Sequence, residues 1–279
     1  MVRMIRRECA TFLGAALLMT VVLGPVGTAA AARRAPHRPV ELGAPMHLGG
    51  MSAALAHPSR NRAPNPNFIP ACAEDWRSRA CTRLALRAIK NARAAEGVKH
   101  PALVLPRNYK KLTVAEQTFV ITDLERVGRG LKPFAGLTRV FNLASHTAAI
   151  ARLDPEPVLS LLRSLGIFEY GSNWAGDFGP LASDYDWMYN DGFGSGGINL
   201  ACLTPRSKGC WGHRNNILGT YSYLPHLLAG AGTATPAGMS IAMIMSGGRG
   251  TPPKFTYSWR AAKHHGAGAR HHRAHARHS

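Results

Sequence analysis

The chain has 279 residues, with 34 Lys and Arg against 15 Asp and Glu and a formal net charge of +19. One apolar run near the start is the only segment long enough to be weighed as a bilayer span, which excludes a polytopic membrane protein. The charge favours polyanions as partners: anionic envelope polymer, lipid headgroups or, without sequence specificity, nucleic acid.

Arg3, Arg6 and Arg7 precede the apolar run 10–26, and the small residues 27–32 follow it. This order predicts a signal peptide over 1–32, with cleavage before Arg33 and Arg34. The competing reading is an uncleaved anchor. Export implies a secreted chain, extracellular or associated with the envelope, that meets the membrane only through the signal. Cys9 would leave with the signal, and Cys72, Cys81, Cys202 and Cys210 remain. An even set in an exported chain reads as disulfides; proximity favours Cys72 with Cys81 and Cys202 with Cys210. Zinc is the alternative, but neither pair has the short ligand spacing, so no metal is expected.

Residues 33–70 are rich in Pro, Ala, Arg, Gly and Asn and read as a disordered linker. Over 71–102 the pattern predicts a disulfide-tied basic helical segment, with Trp76, Leu84, Leu86 and Ile89 set among arginines over 75–93. It would pack on the domain or lie on a membrane surface. Thr113 and Glu116 form a capping box that opens a helix ended by Gly128 and Gly130. A second helix is expected over 138–152 and a short one over 157–164, then a strand over 167–174 and a helix over 181–189. Strands over 227–235 and 239–246 flank Pro236, Ala237 and Gly238, a hairpin pattern. Residues 103–259 suffice for one core that buries about 70% of its unfolded surface. The fold class is therefore α/β, a single domain with disordered termini. Residues 260–279 form an Arg/His-rich tail, expected to be disordered and to touch anionic polymer.

The most specific local string is Gly212-His213-Arg214-Asn215-Asn216-Ile217-Leu218. Upstream stand Leu124-Glu125-Arg126 with Gly130-Leu131-Lys132-Pro133, then Gly171-Ser172-Asn173-Trp174, then Trp187. In this order the stretch 113–247 resembles the CAP superfamily (cysteine-rich secretory, antigen 5 and pathogenesis-related proteins), in its bacterial extracellular form. The resemblance implies an α-β-α sandwich with a central cleft lined, where complete, by two histidines and two glutamates. Only His213 maps onto that set. Ser172 stands where a glutamate is usual, Asp154 falls near the first histidine's place, and His146 lies two turns earlier. The cleft residues implied are Ser172, Asn173, Trp187 and Arg214.

His213 is the candidate catalytic residue, as a general base or metal ligand, against a purely structural histidine. Arg214 is expected to pair with a local aspartate. Asp184, Asp186 and Asp191 could offer oxygens to calcium, or could form a solvated face. The glycine-rich stretch 191–197 lacks the lysine of a phosphate loop and reads as a cover or a plain connector. Neither Ser172 nor Ser195 lies in a nucleophile motif. No cofactor is expected. The preferred function is a noncatalytic binding or envelope-interaction module with a degenerate cleft. The alternatives are a hydrolase or metal-dependent enzyme using His213, and a structural envelope protein held by its basic tails.

Overall fold

The computed structural model describes residues 61–167, 169–176, 178–190, 211–219, 221, 226–234, 239–249 and 251–268. The signal-like segment, the stretch 191–197, Cys202, Cys210 and the tail beyond 268 lie outside the described residues.

The chain enters through α1 (Ile69–Glu74) and α2 (Arg79–Ala95). Ser78 caps α2 by accepting from the Cys81 amide at 3.0 Å, and a Cys72–Cys81 disulfide joins the two helices. The helix is sharply amphipathic: Ala85, Ala88, Ile89 and Ala92 are buried, while Arg79, Arg83, Arg87 and Lys90 face outward. Its apolar side is thus spent on the protein core, not on a membrane surface. A 3-10 turn (Tyr109–Lys111) leads to α3 (Val114–Gly128), whose capping box forms as expected: the Glu116 amide donates to Thr113 Oγ1, and Glu116 Oε2 accepts from the Thr113 amide at 2.8 Å.

Next come β1 (Gly136–Thr138), α4 (Arg139–Ala151), α5 (Leu159–Ser164), β2 (Tyr170–Ala175), α6 (Pro180–Tyr189) and α7 (Gly212–Leu218). The chain then forms β3 (His226–Ala234), β4 (Ser240–Gly248), β5 (Phe255–Ser258) and α8 (Trp259–His264). The five strands make one mixed sheet in the order β2-β4-β3-β1-β5. β4 runs antiparallel to both β2 and β3, β1 is parallel to β3, and β5 is antiparallel to β1. The protein is of the α/β class.

β4 is buried along its whole length, and its alternating side chains divide between two layers. Ile241, Met243 and Met245 join Phe119, Val120, Trp187 and Ile89 in the main core, whereas Ile244 packs with Phe141 and Leu162, and Ala242 with Ala148 and Ala149. Helices therefore cover both sheet faces. α4 lies so close on β3 that a Cβ on Gly230 would stand 2.1 Å from Phe141 Cβ, and one on Gly232 would stand 2.2 Å from the His146 nitrogen.

Three expected boundaries move. Residues 61–70 are not all linker: Phe68 is 2% exposed, and the Arg62 amide donates to the Tyr189 carbonyl at 2.7 Å. Residues 71–102 are not a separate segment, because the inner face of α2 belongs to the main core. The tail starts later than residue 260: α8 buries Trp259 and Ala262, Ala267 is buried too, and Gly268 bridges to Val104. In each case apolar side chains scattered among basic ones have a core to enter, a long-range fact that composition does not carry. No described helix is long and apolar enough to cross a membrane.

The bridge closes a short loop, with a sequence separation of 9. Cys72→Ser with Cys81→Ser should lower stability by about 2–3 kcal/mol in urea unfolding, the loop-entropy value for about ten residues. An unchanged midpoint would mean that α1 adds nothing to the fold.

Candidate functional site

α7 carries the Gly-His-Arg string, and three features fix it against its neighbours. Its N-cap, Trp211, is 1% exposed and sits in the left-handed region at φ 65°, where a bulky residue is strained. At the other end, Arg126 Nη1 donates to the carbonyls of Ile217 at 2.5 Å and Gly219 at 2.9 Å, so a buried guanidinium takes up the free carbonyls of the helix end. In the middle, Arg214 makes a fork-like pair with Glu96, 3.0 Å from each guanidinium nitrogen, and donates to the Met188 carbonyl at 2.5 Å.

Glu96 belongs to a buried ionic network. It also accepts from Arg129 Nη2 at 2.8 Å, and Arg129 in turn meets Glu125, which is paired with Arg93 and accepts from the Tyr189 hydroxyl at 2.8 Å. Every one of these charged side chains is at most 1% exposed. Burial alone would raise the Glu125 carboxyl, but Arg93, Arg129 and the Tyr189 hydrogen bond outweigh it and hold the group below its ordinary range. Burial likewise opposes the charge on Arg129, and Tyr189, Glu125 and Glu96 keep it ionised. Asp184 stands differently. Burial, then the charge of Glu125, push its carboxyl well above the usual range, and the three arginines offset only part of this. Among the described residues neither Asp184 oxygen has a hydrogen-bond partner.

Amide side chains join α7 to β2. Asn173 Nδ2 donates to the His213 carbonyl at 3.0 Å, and Asn216 Nδ2 donates to the Ser172 carbonyl at 2.8 Å and to Asn173 Oδ1 at 3.0 Å. This orientation leaves the His213 ring at the rim, its side chain 24% exposed, with Nε2 3.3 Å from Oδ1 of Asp154, itself 51% exposed.

The structure brings His213, Ser172 and Asn173 together, with Asp154, the residue near the first histidine's place, beside the imidazole. Trp187 does not line an open cleft: it is fully buried, its indole nitrogen donating to the Trp174 carbonyl at 3.0 Å. Arg214 is also fully buried, and among the described residues the acid that meets it is Glu96. Asp184 lies in the core, so its part of the acidic feature is not a solvated face. His146 Nδ1 is engaged by the Thr233 carbonyl at 2.7 Å. Among the described residues no three His, Cys, Asp or Glu are grouped for a metal. Glu96 was the residue sequence reasoning missed. One signal pointed to it: it is the sole acid between 76 and 112, a stretch crowded with cations.

No protein-family model, curated protein or solved structure matches the chain.

Two substitutions test this framework. Asn173→Ala removes the acceptor of Asn216 and the donor to His213, and should cost about 1–3 kcal/mol, with faster amide exchange along α7. Asp184→Asn should raise the urea midpoint at pH 7. A carboxyl whose folded value is raised is not penalised below its unfolded value, and the penalty grows as pH rises above that value, so the gain should vanish near pH 3.5.

Proposed function

We propose that the chain is an exported domain of the CAP kind, an α-β-α sandwich that works by binding an anionic envelope partner, not by catalysis. The resemblance draws support from the way its scattered motifs meet. Arg126 of the opening helix holds the end of the Gly-His-Arg helix, Glu125 lies in the network that fixes Arg214, and Asn173 of the Gly-Ser-Asn-Trp string binds the His213 carbonyl.

The observation that carries the noncatalytic reading is Ser172, an uncharged side chain where the resemblance implies a glutamate. Among the described residues the His213 ring meets the half-exposed Asp154 carboxylate at 3.3 Å. The polar side chains beside it, Asn173, Asn216 and Arg214, are used in holding the helix. General-base catalysis needs an imidazole fixed by a second group and a site for the developing charge, and metal hydrolysis needs further ligands around an open position.

A second reading, a hydrolase, is favoured by the His213–Asp154 contact alone. The two part on one experiment. Purified protein should hydrolyse peptide and ester substrates no faster than His213→Ala. A hydrolytic rate that falls at least tenfold in His213→Ala and in Asp154→Asn would replace the binding reading with the enzyme one.

A further inference from the structure

Two adjoining hollows open between α2, the 3-10 turn and the first turns of α3 and α6. The deeper one, of about 280 Å³, has apolar walls from Trp76, Leu112, Val114, Phe178 and Leu181. The shallower one, of about 440 Å³, is walled by Arg79, Arg83 and Lys110 with the stem of Leu86. Thr82 and Lys110 line both, so the two lie side by side.

The charges here are one-sided. Arg79 and Arg83 are one helical turn apart on the exposed side of α2 and share a face. Among the described residues neither they nor Lys110 make an ion pair, and no carboxylate of a described residue lines either hollow. Arg77 adds a fourth cation at the deeper hollow, its guanidinium 4.5 Å from the Trp76 ring centroid. The first turn of α6 adds the positive end of a helix dipole, whereas that of α3 is met by the Glu116 carboxylate of its capping box.

The apolar wall is built with care at one point. Gly179 has φ +93°, and a Cβ there would stand 2.7 Å from Trp76 Cε3, so only glycine lets α6 start against that indole. Phe178, just before it, remains 37% exposed at the mouth.

We propose that these hollows form a binding site for a small amphiphilic anion, a phosphate monoester with a compact apolar group. The phosphate sits among Arg79, Arg83 and Lys110, whose forked and point charges suit it. The apolar group enters beside Trp76 and Phe178. The cationic wall precedes residue 113 and owes nothing to the family resemblance; nor does the site depend on the reading of His213.

Calorimetric titration of the full chain with phenyl phosphate tests it. Saturable one-to-one binding is expected, at least tenfold tighter than inorganic phosphate. Arg79→Ala with Arg83→Ala should weaken it about tenfold or more, while Arg87→Ala with Arg163→Ala, an equal loss of exposed charge outside both hollows, should change it less than twofold. Phe178→Ala should erase the advantage of phenyl phosphate over inorganic phosphate. Equal losses in both double variants would overturn the site in favour of general charge attraction, and equal affinity for the two phosphates would overturn the apolar half. Co-sedimentation with phosphatidic acid vesicles identifies the source: a lipid headgroup if binding is lost in the Arg79, Arg83 variant, a soluble ester if wild type does not sediment. Vesicle binding that is strong in both would again overturn it.

Discussion

Three guanidiniums and two carboxylates buried between α2, α3, α6 and α7 set the terms for the rest of the molecule. Ions removed from water cost several kcal/mol each unless they are paired and hydrogen-bonded, so each of these groups needs its partners in place. Arg93 and Glu96 come from one helix, Glu125 and Arg129 from a second, Arg214 from a third, and Tyr189 closes the ring from a fourth. Helices that could slide past one another on apolar contacts alone are thereby held in one relative position. Asp184 is the imperfect member, a carboxyl enclosed with the others but without a hydrogen bond among the described residues, and burial with the charge of Glu125 holds it above the usual carboxylate range.

That framework explains which features could be read along the chain. Elements with local signals were legible. The Thr113 capping box, the extent of α4 and the β3–β4 pairing all lie where local pattern put them, although Leu143 and Ile150, expected on the apolar side of α4, are exposed. Elements whose stability is borrowed were not. β1 has three residues, too few for a period, and exists because β3 and β5 flank it. α7 has no apolar stripe, and its helical form rests on Arg126 at its end and on its own buried Arg214. The same holds for the candidate site. The Gly-His-Arg string could be picked out, but the acid that fixes Arg214 lies 118 positions away, and only a folded chain brings them together. Trp187 was assigned to the cleft from its place in a motif, and tertiary packing made it core instead.

The rim histidine and the cationic hollows illustrate two ways in which polar groups remain at a surface. His213 is left outward because its backbone is held by Asn173, and its ring meets the Asp154 carboxylate. Arg79 and Arg83 are outward because the opposite side of α2 is filled with alanine and isoleucine, and Lys110 of the 3-10 turn stands beside them. In the first case the position of the ring follows from helix anchoring. In the second, an excess of one sign of charge gathers beside an apolar recess, and such a combination suits a ligand with both characters.

α2 is fastened at its start by the Cys72–Cys81 bridge and at its end by Glu96. The hereditary unit is therefore longer than the stretch that bears the recognisable motifs. A gene fragment spliced at residue 113 would inherit Arg129 and Arg214 without their shared counter-ion, and would bare the layer of core that Ala85, Ala88 and Ile89 close. Exon-like shuffling of the motif-bearing part alone is barred by electrostatics, and the basic helix must travel with it.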